Sequence, residues 1–286
     1  MSECKLCPRE CGADRERGEI GFCGAGSDIK IARCAPHFWE EPPISGERGS
    51  GAIFFSGCPL KCVFCQNREI SHGGLGKAVG EEELEKSGVH NINFVTPTHY
   101  TDRIAAILKK IKPSLGIPVV WNCGGYEKEE TLDLLDGLVD IYLPDFKYFD
   151  SELARAYSAA PDYRDVALRA LKKMFSQVGE IKLNADGTMA RGMIVRHLVL
   201  PGCRKDSAAV LELLAEILPA DKIYLSLMSQ YTPEFAADSE YKNLRRRVTS
   251  FEYTSVANRA QELGFVGFMQ ERTSASADFT PDFSGE

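Results

Sequence analysis

Residues 55–70 read FSGCPLKCVFCQNREI and hold three cysteines, Cys58, Cys62 and Cys65. Their number is the informative feature. A structural zinc ion takes four ligands in a tetrahedron, and this loop supplies three. A 4Fe–4S cluster has four irons, each normally bound by one thiolate, so three protein sulfurs leave one iron open to a further ligand. The preceding stretch GAIFFSG (51–57) reads as a strand, which puts the thiols in a loop at a strand end. A zinc knuckle completed by a remote residue is the bland alternative. Chance explains the pattern poorly, given the strand before it and the aromatic Phe64 just ahead of the last cysteine.

Outward from that loop, short apolar runs alternate with amphipathic ones. NINFVT (91–96), IPVVWN (117–122), VDIYLPDF (139–146), GMIVRHLVL (192–200) and KIYLSLM (222–228) read as further strands. Helical patterns fall at 101–112, 128–138, 151–158, 161–178, 207–218 and 251–263, and a short apolar run, FVGFM (265–269), follows the last. Strand followed by helix, six times over, implies parallel strands joined by right-handed crossovers. A partly closed barrel and an open doubly wound sheet both fit. In either, the ligand site lies at the C-terminal strand ends. The unusual residues gather there: the cysteine loop, Thr96-Pro97-Thr98-His99, Asn122-Cys123-Gly124-Gly125-Tyr126, Asp145-Phe146-Lys147 and Pro201-Gly202.

The chain has 286 residues, 44% hydrophobic and 26% charged, an ordinary globular composition. A net charge of −7 counts against a non-specific nucleic-acid binder, which is usually basic. No apolar run reaches the roughly 18–20 residues of a membrane span. The polar start MSECKLCPRECGADRERG carries no signal-peptide core, so a cytoplasmic protein with reduced thiols is expected. Its ten cysteines then point to metal or redox chemistry rather than a disulfide framework. The expected organisation is a Cys-rich metal-binding module and connector over 1–48, a barrel over 49–270 and a mobile tail over 271–286.

CPLKCVFC resembles the CxxxCxφC signature of the radical S-adenosylmethionine superfamily, φ being aromatic. The resemblance implies a partial (β/α)6 barrel and a 4Fe–4S cluster held by Cys58, Cys62 and Cys65. It also implies S-adenosylmethionine chelated to the open iron. Reductive cleavage of that cofactor would yield a 5′-deoxyadenosyl radical that takes a hydrogen atom from substrate. CVFCQNREIS is similar to the CxYCHN segment of activases for pyruvate formate-lyase and related glycyl-radical enzymes, with Gln66 in place of His and Asn67 matching. YLPDFKYFD resembles their D-x-K motif through Asp145 and Lys147, and VRHLVLPG their strand-5 segment through His197. The resemblance spans about residues 4 to 270. Where the superfamily often carries Gly-Gly-Glu, this chain has Thr96-Pro97-Thr98-His99. Thr96 and Thr98 are then candidate oxygens for the cofactor's amino group.

By the same resemblance Phe64, Asn67, Asp145, Lys147 and His197 join these threonines as cofactor-binding candidates; Asn122 joins them from the turn Asn122–Tyr126, whose glycines permit close approach to a ligand, a plain tight turn being the alternative. Asp145 and Lys147 alternate to one side of a strand, so they can meet opposite ends of a zwitterion; a structural ion pair is the alternative. Either His197 or Arg196 faces the lumen, and His197 is the favoured contact. Met228 and Gln230 are candidates to meet a purine, and the Pro201-Gly202 turn to approach it.

Cys4, Cys7, Cys11 and Cys23 give four thiols in twenty residues, enough to close a zinc site or carry a second iron–sulfur cluster. Zinc is slightly favoured.

The leading function is hydrogen abstraction by a radical enzyme. By resemblance its substrate is a glycine of a glycyl-radical enzyme, and its electron donor a flavodoxin or ferredoxin. A small-molecule, RNA or peptide substrate is one alternative, and a non-catalytic zinc or iron–sulfur protein another.

Overall fold

The structure, a computed structural model, describes residues 3–78 and 88–269. The tail expected at 271–286 lies outside them. Among these residues, ten strands and eight α-helices follow in chain order. They are β1 (Lys30–His37), α1 (Pro42–Ser45), β2 (Ser50–Phe55), α2 (Arg68–Ser71), β3 (Lys77–Ala78), β4 (Ile92–Val95), α3 (Thr101–Leu115), β5 (Val119–Cys123), α4 (Glu129–Leu132) and β6 (Ile141–Pro144). Then come α5 (Ser151–Ser158), α6 (Tyr163–Val178), β7 (Lys182–Leu183), β8 (Met189–Leu198), α7 (Arg204–Ile217), β9 (Tyr224–Met228), α8 (Ser250–Glu262) and β10 (Val266–Met269).

One sheet runs β10-β9-β8-β6-β5-β4-β2-β1-β3, with β7 paired to β8. From β2 to β10 every neighbouring pair is parallel. The sheet does not close, because β10 and β3 remain its ends. It curls nonetheless: Phe54 of β2 and Phe268 of β10 line the same cavity. This is the partial barrel. The run FVGFM adds a seventh parallel strand to the six the sequence pattern implies.

Side-chain alternation sorts the strands into two faces. Phe94, Trp121, Tyr142, Val195 and Leu227 point outward into the large core under the helices. Val120, Ile141, Leu143 and Ile194 point inward and pack with Ile44 of α1. Local signals hold the helices in place. Asp150 caps α5 by accepting from Glu152 N and Leu153 N at 2.7 and 2.9 Å. Thr249 and Glu252 form a reciprocal capping box on α8.

Two segments differ from the sequence expectation. Residues 30–37, read as part of an irregular module, form β1 and pair antiparallel with β2. The alternating burial of β1 is weak, so its period is faint in the sequence. The pattern at 128–138 gives only a one-turn α4 and a 3-10 turn at Asp133–Leu135, with Gly137 in the left-handed region ending it.

Candidate functional site

The loop after β2 is held against its neighbours by backbone. Gly57 has φ of +93°, and a Cβ there would stand 2.6 Å from Cys23 O, so only glycine fits. Cys58 N–H donates to Cys23 O at 3.0 Å, and Val63 N–H to Tyr157 O at 2.9 Å. The loop turns through Lys61, whose φ is +48°.

Each of the three sulfurs has a hydrogen-bond donor. Leu60 N–H donates to Cys58 Sγ at 3.4 Å, Ser158 Oγ to Cys62 Sγ at 3.0 Å and Ser71 Oγ to Cys65 Sγ at 3.4 Å. Burial pushes the Cys58 thiol up to about 12, and the nearby Cys62 and Cys65 add to the rise. Burial likewise raises Cys65, with Cys62 adding and Ser71 opposing. All three thiols line a cavity of about 380 Å³ at the C-terminal edge of the barrel.

That cavity gathers Phe64, Asn67, Thr96, Asn122, Asp145 and Lys147 from the expected set. Lys147 Nζ meets Asp145 Oδ2 at 2.5 Å, and Arg196 Nε meets Asp145 Oδ1 at 3.0 Å. Burial alone would raise the Asp145 carboxyl. Lys147 and Arg196 outweigh it and hold Asp145 below the usual carboxylate range. Thr96 carries a left-handed backbone (φ +57°) that non-glycine residues seldom adopt, and strain of this kind clusters at ligand sites. Gly125 has φ of +74°, and a Cβ would meet Asp145 O at 2.1 Å. The glycine pair thus lets the β5 turn close over the strand that carries Asp145.

Three candidates stand outside the cavity. His197 is outside the cavity: its Nδ1 lies 2.7 Å from Phe146 O in the outer core, where burial lowers its pKa to about 4. Register decides this, since Arg196 is the neighbour that turns inward. Thr98 is buried behind the cavity and donates to Glu127 Oε1 at 2.6 Å. The Pro201-Gly202 turn faces α8, with Gly202 N–H donating to Glu252 Oε1 at 2.8 Å. Met228, Gln230 and Tyr231 do line the cavity.

Sequence reasoning missed Glu40, Glu41 and Ser226, and ranked Arg196 behind His197. Arg196 donates to Asn122 Oδ1 at 2.6 Å and lies 3.6 Å from Glu40 Oε2. Glu40 Oε1 accepts from Asn93 Nδ2 at 3.1 Å and Asn122 Nδ2 at 3.2 Å. The paired acids of WEEPP were the available signal, but only the reversal of the chain at β1 carries them into the lumen.

These features suit a three-thiolate cluster loop. Three sulfurs, each with a donor, open on one cavity beside a buried Asp–Lys–Arg group able to bind a zwitterion. Among the described residues, no three of His, Cys, Asp or Glu stand at the spacing of a single metal ion. A cube of four irons does not require that spacing, since each thiolate binds a different iron.

A family model described as the radical SAM superfamily matches residues 52–187, the span from β2 through β7 that holds the cysteine loop and Asp145-x-Lys147. This chain belongs to the radical SAM superfamily. A radical SAM protein uses a 4Fe–4S cluster and S-adenosylmethionine, and Cys58, Cys62 and Cys65 are this chain's match to the cluster-binding signature. The chain is also 31% identical over 279 residues to Uncharacterized protein MJ0674 of Methanocaldococcus jannaschii, covering 92% of this chain and 75% of that one. Among solved structures, a domain of pyruvate-formate lyase-activating enzyme from Bacteroides vulgatus has a TM-score of 0.43 and 15% identity. It covers 60% of this chain and 92% of its own. Methylornithine synthase has a TM-score of 0.47 and 16% identity, covering 71% of this chain and 59% of its own.

Proposed function

We propose that this radical SAM enzyme activates a partner by removing a hydrogen atom from one of the partner's glycines. The observation that carries the chemistry is the opening of Cys58, Cys62 and Cys65 onto the same cavity as Asp145, Lys147 and Arg196. When bound, the cluster and S-adenosylmethionine supply one-electron reductive cleavage, which ends in methionine, 5′-deoxyadenosine and a substrate short of one hydrogen atom. A flavodoxin or ferredoxin supplies the electron. The similarity of CVFCQN and YLPDFKY to glycyl-radical activases supports the glycine as target. So does the cavity mouth, where Phe38 and Trp39 are 52% and 65% exposed, a surface suited to a docking protein.

The chain's own residues divide the work. Ser71, Ser158 and the Leu60 amide stabilise negative charge on the three sulfurs. Asp145 and Lys147 present opposite charges to the amino-acid end of the cofactor, and Arg196 fixes Asp145 in place. Phe64 packs edge-on against Tyr157 and Tyr231 and walls the cluster loop from water.

The test is anaerobic reconstitution with iron, sulfide and reductant, followed by assay for 5′-deoxyadenosine. Cys62→Ala removes the product if the reading holds; product from that variant overturns it. A glycyl doublet in the electron paramagnetic resonance spectrum of a co-incubated glycyl-radical enzyme tests the partner.

We infer that Cys4, Cys7, Cys11 and Cys23 form a second thiolate metal site. The amides of Arg9, Ala13 and Ala25 donate to the sulfurs two residues before them, Cys7, Cys11 and Cys23. Gly12 and Gly24 adopt the left-handed backbone that such sulfur-capping turns use. Arg15 Nη2 adds a contact to Cys23 Sγ at 3.4 Å. Metal analysis of the full chain against Cys7→Ser reads this site as a difference: zinc lost, iron lost beyond that of the Cys58–Cys62–Cys65 cluster, or no change if the N-terminal thiols are unliganded.

A further inference from the structure

The outer side of the cluster loop carries a bonded path from the protein surface to a cluster sulfur. Ser71 Oγ, which donates to Cys65 Sγ at 3.4 Å, also meets His72 Nδ1 at 2.9 Å. His72 directly follows α2 and is half-buried, and the Lys61 backbone bonds its imidazole. Imidazole, hydroxyl and sulfur thus form one hydrogen-bonded chain. It leaves the loop on the side away from the lumen, since neither Ser71 nor His72 lines the cavity.

The surface around that chain is cationic. Burial lowers the His72 pKa, the Lys61 backbone bond opposes the drop, and the charges of Arg68 and Lys61 add to it, so both cations stand close to the imidazole. Lys61 Nζ lies 5.3 Å from the centre of the Phe22 ring, and the Arg9 guanidinium lies 4.3 Å from it. That ring is 40% exposed, an apolar anchor between two cations. Arg68 is exposed at the start of α2, next to the exposed Glu69. Among the described residues, neither Lys61 nor Arg68 pairs with a carboxylate. Cations so gathered on a chain of net charge −7 give one face the sign that attracts and orients an acidic partner.

We propose that the face built from Phe22, Lys61 and Arg68 docks an acidic ferredoxin-type protein, and that His72 and Ser71 carry its electron to Cys65. One electron leaves the reduced iron–sulfur centre of the donor and passes to the cluster; no bond forms or breaks. Phe22, Lys61 and Arg68 lie off the cavity, so the donor binds while the lumen is occupied. The proposal deepens the radical-enzyme reading and rests on it for the need of an electron.

The experiment uses the full-length reconstituted protein under anaerobic conditions. Binding of an acidic two-iron ferredoxin is measured by calorimetry in wild type, Lys61→Glu, Arg68→Glu, His72→Leu and Lys172→Glu, the last an exposed control on α6. Lys61→Glu and Arg68→Glu each weaken binding by about tenfold at low salt, and high salt shrinks the difference. Lys172→Glu and His72→Leu bind as wild type does. In stopped flow, saturating reduced ferredoxin reduces His72→Leu severalfold more slowly than wild type. Photoreduced deazaflavin, a small reductant that needs no docking face, reduces every variant at the wild-type rate and supports the same 5′-deoxyadenosine formation in Lys61→Glu and Arg68→Glu. Absence of ferredoxin binding to wild type, unchanged binding in both charge reversals, or equal loss in Lys172→Glu overturns the docking face. Unslowed reduction of His72→Leu overturns the electron path. A single-stranded RNA that binds in place of ferredoxin and is lost in the same two variants assigns the face to another partner and also overturns the proposal. Failure of S-adenosylmethionine cleavage with deazaflavin, while the ferredoxin pattern stands, rejects the radical reading alone.

Discussion

Cys58, Cys62 and Cys65 face a cavity, whereas Cys4, Cys7, Cys11 and Cys23 face one another. The first group sits at the end of a parallel strand, beside Asp145 and Lys147, which follow β6, and Arg196 of β8. The second sits in short turns, with amides folded back on its sulfurs and no place in the cavity lining. One missing thiol separates a group that leaves a coordination position open from one with a thiolate for every iron of a cluster. The two also touch: the Cys58 amide bonds the Cys23 carbonyl. Arg9 reaches from the second group to Pro59 O at 2.8 Å, Ser158 O at 2.7 Å and Ala159 O. The N-terminal segment thus braces the cluster loop.

The largest effect expected is from the open group. Cys62→Ala abolishes 5′-deoxyadenosine formation in a chromatographic assay, while Cys7→Ser chiefly lowers the melting temperature. Equal loss of chemistry in both would erase the distinction between them. Next is the ion pair on the cavity wall. Lys147→Met leaves Asp145 buried with one cation fewer, and breaking such a pair costs about 3 kcal/mol. S-adenosylmethionine binding measured by calorimetry weakens by about a hundredfold. Smaller is the brace. Arg9→Gln removes guanidinium bonds to three carbonyls, lowers stability by about 1–2 kcal/mol in denaturant titration and slows cluster loading.

A pH profile tests the buried acid that Thr98 bonds. Burial raises Glu127 from its ordinary 4.5 to about 8, against the opposing bonds from Thr98 and Cys123. The folded state therefore keeps a proton that the unfolded chain releases. Its stabilising contribution is complete below about pH 4.5 and falls as pH rises toward 8. Glu127→Gln flattens that fall in denaturation midpoints taken between pH 5 and 8.

Much of this arrangement is legible in the sequence because it depends on local spacing. The cysteine loop and Asp145-x-Lys147 lie within stretches of ten residues or fewer, and each strand or helix of the alternation is read from its own local period. Face assignment was less legible. His197 and Arg196 are adjacent in an apolar strand, and a one-residue difference in register exchanges lumen for core. Glu40 and Glu41 gave no periodic signal, because their position depends on β1 pairing antiparallel with β2 and returning α1 to the lumen.

The sequence by itself determined which groups could bind metal and that parallel strands would end beside them, since thiol spacing and hydrophobic period act over a few residues. Only the tertiary structure decided which charges share the lumen. That outcome turns on strand register and on a chain reversal, and both are settled by packing between residues far apart in the chain.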